Sequence, residues 1–159
     1  MPRLFMRRFK ATACMILSGA ALLSIGDSAP RLWLYDEGRQ LVMSARTDSF
    51  SVRFIHSINL SPVDEDFSLS SDGALVLVRE RFDQFGTGMP TGEDDGVGME
   101  DGRYVTRPLR RFPEIALRVL PVPGHILSIR ERTTAFTRWA PAGGLLILRA
   151  KPFIGTNDM

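Results

Sequence analysis

Between residues 50 and 69 the chain alternates apolar and polar side chains with a period of two. Phe50, Val52, Phe54 and His56 fall on one side, and Ser51, Arg53, Ile55 and Ser57 on the other. In the next run Val63, Glu65, Phe67 and Leu69 oppose Asp64, Asp66 and Ser68. Period two is the repeat of a strand, whose successive side chains leave opposite faces, and no helix can gather such a set on one stripe. Similar short runs occur at 31–35, 39–45, 74–83, 103–107, 115–120, 125–130, 133–139 and 145–150. Turn signals such as Asp72-Gly73 and Pro141-Ala142-Gly143-Gly144 separate them. Strong helical periodicity is absent after residue 30. Nine or ten short strands predict an all-β, single-domain antiparallel sandwich or barrel-like fold. The run 145–148 is apolar on both faces and is expected to lie centrally, while Arg53, Arg79 and Arg81 are expected to coat the solvent face.

The first thirty residues read differently. Arg3, Arg7, Arg8 and Lys10 precede sixteen uncharged residues, 11–26, and then the small polar Asp27-Ser28-Ala29-Pro30. This is the order of a secretory signal. As a helix the apolar run would measure roughly 24 Å, short of the ~30 Å hydrocarbon core. Gly26 and Ser28 suit cleavage before Ala29, and retention as a membrane anchor is the alternative. Residues 1–28 are therefore expected to form a signal peptide or uncleaved anchor helix, and 29–159 the β domain. Cys14 lies inside the apolar run, not at its end, so lipidation at that residue is not expected, and a single cysteine allows neither an intrachain disulfide nor a cysteine cluster. The whole chain carries 20 basic and 18 acidic residues. Without the leader sixteen basic residues face seventeen acidic ones, so the positive balance belongs to the leader and a nucleic-acid partner is not expected.

Three titratable residues interrupt the apolar faces. A turn centred between Leu60 and Ser61 pairs Val52 with Leu69, Phe54 with Phe67 and His56 with Glu65. A two-residue Asp72-Gly73 turn then pairs Leu69 with Val76, Phe67 with Val78 and Glu65 with Glu80. The result is a row, His56–Glu65–Glu80, that must be paired, protonated or metal-bound in an apolar setting. A one-residue slip of the second hairpin instead sets Arg79 against Glu65 and turns Leu75 and Leu77 inward. On this reading Glu65→Ala is strongly destabilising and Asp64→Ala nearly silent. The row is either a structural cluster or, with no diagnostic spacing, a metal site. Ser57 lacks the Gly-x-Ser-x-Gly elbow of a hydrolase nucleophile, and no catalytic residue or cofactor is assigned. His125 is expected at the surface. Residues 86–102 combine Gly86, Gly88, Gly92, Gly96, Gly98 and Gly102 with Glu93, Asp94, Asp95, Glu100 and Asp101, and are expected to form a mobile acidic loop.

Two blocks in fixed order carry a resemblance. His56-Ser57-Ile58, Ser61-Pro62-Val63 and Glu65-x-Phe67 are followed by Glu80-Arg81-Phe82 and Phe85-Gly86-Thr87-Gly88-Met89-Pro90. Together they resemble the bacterial domain-of-unknown-function family 1850, whose second block reads Gly-Ala-Gly-Leu-Pro where this chain has Gly86, Thr87, Gly88, Met89 and Pro90. The acidic stretch 93–101 is a larger departure. The resemblance implies a small exported or membrane-anchored protein found beside tripartite ATP-independent periplasmic transporters of the TAXI type. It implies no activity. The expectation is a periplasmic or inner-membrane-anchored accessory that binds a transporter permease, a solute-binding protein or a small solute. The alternatives are a metal-binding or hydrolytic protein using the His56, Glu65 and Glu80 row, and a membrane-tethered scaffold.

Overall fold

A computed structural model describes residues 29–86, 96–120 and 124–152. The expected leader helix and the glycine block Gly88-Met89-Pro90 lie outside these residues, as do Glu93, Asp94 and Asp95. Among the described residues no helix is long and apolar enough to cross a membrane.

The described residues form twelve strands in two antiparallel sheets, neither of which closes on itself, so the architecture is a sandwich. The smaller sheet runs β2 (Leu41–Arg46), β1 (Arg31–Asp36), β12 (Leu145–Lys151), β9 (Ile115–Arg118). The larger begins with β11 (Arg132–Ala135), β10 (Ile126–Ile129), β3 (Ser49–Ile55), β4 (Pro62–Leu69) and β5 (Leu75–Phe82). It continues through β7 (Arg103–Thr106) to β6 (Gly98–Glu100), and β8 (Arg110–Phe112) shares the outer edge of β5 with β7. Alternate residues of both sheets meet in the core: Leu32, Leu34, Leu146 and Leu148 from one, Phe50, Val52, Phe67, Leu75, Leu77 and Leu127 from the other. Strand β12 is central, as its two apolar faces predicted, with Ile147 buried on the side away from that core.

Two strands, β6 and β8, were not legible as such, and a third was read too long. Strand β6 lies within the stretch expected to be a mobile loop. It pairs with β7 across Asp101-Gly102, and Glu100 forms ion pairs with Arg107 and, at 3.9 Å, with Arg79. Residues 98–100 are thus sheet rather than loop. The run 133–139 was expected as one strand, but it stops at Ala135 and closes in a 3₁₀ turn over Phe136–Arg138 that buries Phe136.

The β3–β4 register differs from the expected one. Phe50 pairs with Phe67, Val52 with Glu65 and Phe54 with Val63. The Phe50 and Phe67 rings stack at 4.9 Å, 10° from parallel. The connection tightens at His56, whose N–H donates to the Ser61 carbonyl at 2.9 Å while its own carbonyl accepts from the Leu60 N–H at 2.8 Å. Both registers keep the same residues inward, because they differ by an even number of positions. Alternation could not choose between them; the loop did.

The β4–β5 hairpin combines both expected alternatives. Its turn takes three residues, Ser71 to Gly73, with Gly73 at φ +89°, so Leu69 meets Leu75 and Phe67 meets Leu77. A bulge at Val78 then restores the other register, and Asp66 meets Arg79, Glu65 meets Glu80 and Val63 meets Phe82. Without the extra residue, Arg79 and Arg81 would point into the core.

Candidate functional site

His56 does not join the two glutamates. Glu65 lies opposite Val52, and His56 is four residues farther along the chain, just past the end of β3, about 13 Å at strand rise. Instead the imidazole organises its own loop. Its Nδ1 accepts the N–H groups of Ile58 and Asn59, each at 3.3 Å. Ser57 is exposed in the same loop. Asn59 then ties this loop to the one after β5, donating from Nδ2 to the carbonyls of Gln84 (3.3 Å) and Phe85 (3.0 Å). Gly86 sits directly against that amide: a Cβ there would lie 2.5 Å from Asn59 Nδ2. The pinned loops present Ile58, Leu60 and Phe85 to solvent, at 65%, 70% and 43% exposure. Phe85 also packs on Tyr104, ring centres 4.3 Å apart, over the small cluster of Val63 and Phe82. Asn59 escaped the sequence reading; the signal was its place between two turn-forming elements, His56-Ser57 and Ser61-Pro62.

Glu65 and Glu80 do meet, directly opposite one another on the inner face of the large sheet. They open into a cavity of about 370 Å³ between the sheets, beside Phe67, Leu77, Phe112 and Ile115. The nearest cation is Arg110, whose Nη2 is 3.8 Å from Glu80 Oε2. Burial, and then the charge of Glu80, push the Glu65 carboxyl up to about 7. Burial also raises Glu80, against the opposing pull of Arg110. The pair can therefore hold a proton near neutral pH. Arg110 and Phe112 could not be read as site residues, because β8 is only three residues long.

A family model for a domain of unknown function, DUF1850, matches residues 50–136. This chain belongs to the DUF1850 family. No curated protein and no solved structure matches it. The DUF1850 match begins in β3 and ends at Phe136, so it spans the His56–Ser61 connection, both glutamates and Gly86, while β1, β2 and β12 of the small sheet lie outside it. Among the described residues no three His, Cys, Asp or Glu are grouped to hold a metal ion, so the expected His56–Glu65–Glu80 row is not assembled.

Across the sheet from the glutamates, the outer face of the DUF1850 region is a lattice of ion pairs. Asp64 is buried, accepts from Arg53 Nε at 2.5 Å and from Arg103 Nη1, and has Arg81 at 4.0 Å. Arg103 also bridges to Asp83. Asp66 accepts from Arg79 Nε at 2.7 Å and from Ser51 Oγ at 2.6 Å. Asp64 is thus a structural anion and not the solvated residue that alternation implied. His125, expected at the surface, is half-buried between Phe54 (5.6 Å) and Phe136 (6.3 Å), its Nδ1 has no hydrogen-bond partner among the described residues, and burial lowers its pKa.

The contact between Asn59 and Gly86 yields a direct expectation. Gly86→Ala must displace the Asn59 amide and lose its two carbonyl contacts, costing about 1 kcal/mol at this partly buried position. With Asn59→Ala already in place, Gly86→Ala should cost much less. Urea unfolding of the two single variants and the double variant checks this coupling.

Proposed function

We propose that this DUF1850 protein is an exported, non-enzymatic accessory of a bacterial solute transporter of the tripartite ATP-independent TAXI type, held at or near the periplasmic face of the inner membrane. It engages a transporter component, either permease or solute-binding protein, through the end of the large sheet where the two loops meet. The observation that carries this reading is the exposure of Ile58, Leu60 and Phe85 on loops fastened by His56 Nδ1 and Asn59. Apolar side chains held out on an ordered loop lose little conformational entropy on binding and are the ordinary anchors of a protein interface. The basic, apolar and small segments of the leader support export.

Two measurements test the proposal. A fusion of residues 1–45 to alkaline phosphatase should be active in a bacterium, and an inactive fusion overturns export. A photo-crosslinking residue in place of Ile58 should give a discrete adduct with a transporter protein in native membranes. The same residue in place of Ser71, at the opposite end of β4, should not. Equal adducts from both positions, or none from Ile58, overturn the docking surface.

A further inference from the structure

The sandwich has a second groove, on the side away from Glu65 and Glu80. It lies between edge strand β2 of the small sheet and the β10–β11 hairpin of the large one, with a volume of about 670 Å³. Its floor is apolar: Met43, Leu127, Ile129 and the indole of Trp139, which rests edge-on against the buried Phe136. Its rim is cationic, with Arg46, Arg130 and Arg132 against the single carboxylate of Glu131. That concentration of positive charge runs against the slightly negative balance of residues 29–159. Among the described residues Arg130 and Arg132 make no hydrogen bond or ion pair with their side chains. The backbone adds an independent observation. Ile129 pairs with Arg132, so Arg130 and Glu131 form a two-residue turn, and Arg130 has φ +54°. Glycine is the residue favoured there, yet the position carries an arginine that lines the groove mouth.

We propose that this groove binds a small organic anion with an apolar body, of the class of an aryl- or alkyl-carboxylate. The apolar part lies on Met43, Leu127, Ile129 and Trp139. The carboxylate meets the guanidinium groups of Arg130 and Arg132, whose planar donor pairs match its two oxygens. The volume falls within the usual range for small-molecule sites. The chain's own leader is a poor occupant, since Arg3, Arg7, Arg8 and Lys10 would be repelled by the rim. The site is separate from the docking loops at the end of β3 and β4, so either can fail without the other.

Trp139 supplies the readout. The chain has two tryptophans, and Trp33→Phe leaves Trp139 as the sole indole of the full chain. Titrating this variant at neutral pH with 4-phenylbutanoate should shift its emission saturably. 4-Phenylbutylamine, with the same body and the opposite charge, should produce no saturable shift. Arg130→Asn with Arg132→Gln should weaken the acid by about tenfold or more, consistent with loss of charge-assisted contacts. Asparagine is chosen because it tolerates positive φ. Arg110→Gln, at the other groove, should leave the affinity unchanged. Absence of a saturable shift with the acid overturns the proposal. So does an equal response to the amine, or unchanged affinity in the double variant with its far-ultraviolet circular dichroism intact.

Discussion

Asp64→Ala is expected to cost about 3 kcal/mol of folding stability, a substantial part of the roughly 5–15 kcal/mol available to a domain. The carboxylate is buried, and its removal leaves Arg53 and Arg103 without their shared anion and Arg81 facing them. The value sits at the low end for breaking a buried pair because Arg53 remains largely in water. The same site sets an acid limit. Burial alone would raise the Asp64 pKa, but hydrogen bonds from Arg53 and Arg103 outweigh it and hold the carboxyl below its ordinary 3.8. A carboxyl lowered in the folded state stabilises above the unfolded pKa, and that stability is lost as pH falls through the folded value. Wild-type protein should therefore lose stability below about pH 3.8, and Asp64→Asn should flatten that limb. Urea unfolding between pH 2 and 7 checks both. A shift in midpoint indistinguishable from that of an exposed control such as Asp48→Ala would show that the arginines need no such anion.

Glu65→Gln is expected to stabilise the protein at alkaline pH. The carboxyl is raised from 4.5 to about 7, first by burial and then by Glu80 directly opposite. A group raised in the folded state contributes stability that is complete below its unfolded pKa and disappears as pH rises through the folded pKa. Ionisation of Glu65 should thus cost on the order of 3 kcal/mol by the time the pH exceeds 7, at about 1.4 kcal/mol for each pH unit. Glutamine keeps the shape and cannot ionise. Wild type and variant should be nearly equal at pH 4.5, diverge steadily to about pH 7, and stay separated by a constant amount from there to pH 8.5, with the variant ahead. Parallel stability curves across that range would place Glu65 in contact with bulk water. The first of these expectations reverses the one drawn from alternation, in which Asp64 was silent; the second takes up the protonated state that the sequence allowed for the buried row.

The reversal shows where a period-two pattern stops being informative. Alternation assigns Asp64 to the outer face correctly, but outer does not mean solvated when Arg53, Arg81 and Arg103 all converge on one carboxylate. Arg103 arrives from β7, thirty-nine residues later, and no local signal announces it. His56 illustrates the second limit. Its face was legible; its partner was not, because registers differing by an even number place identical residues inward. The choice was made by turn chemistry within residues 56–61, where the imidazole accepts two backbone N–H groups. Glu65 opposite Glu80 was one of the two pairings left open for the Asp72-Gly73 hairpin, and the chain reached it only through a bulge at Val78.

By itself the sequence determined the all-β class, the succession of every described strand but β6 and β8, the central place of β12, the inward face of each strand from 50 to 69, and the two blocks that mark the family. These follow from side-chain period and turn residues, which act over a few neighbours. Only the tertiary structure decided that the sheets stay open as a sandwich and that His56 fastens a loop while the two glutamates share a groove. It alone brought Asn59 against Gly86 and three arginines to Asp64, and set β2 beside the β10–β11 hairpin to form the cationic groove. Each of these depends on which segments distant in the chain come to lie side by side, and that is settled by core packing and loop closure together rather than by any local pattern.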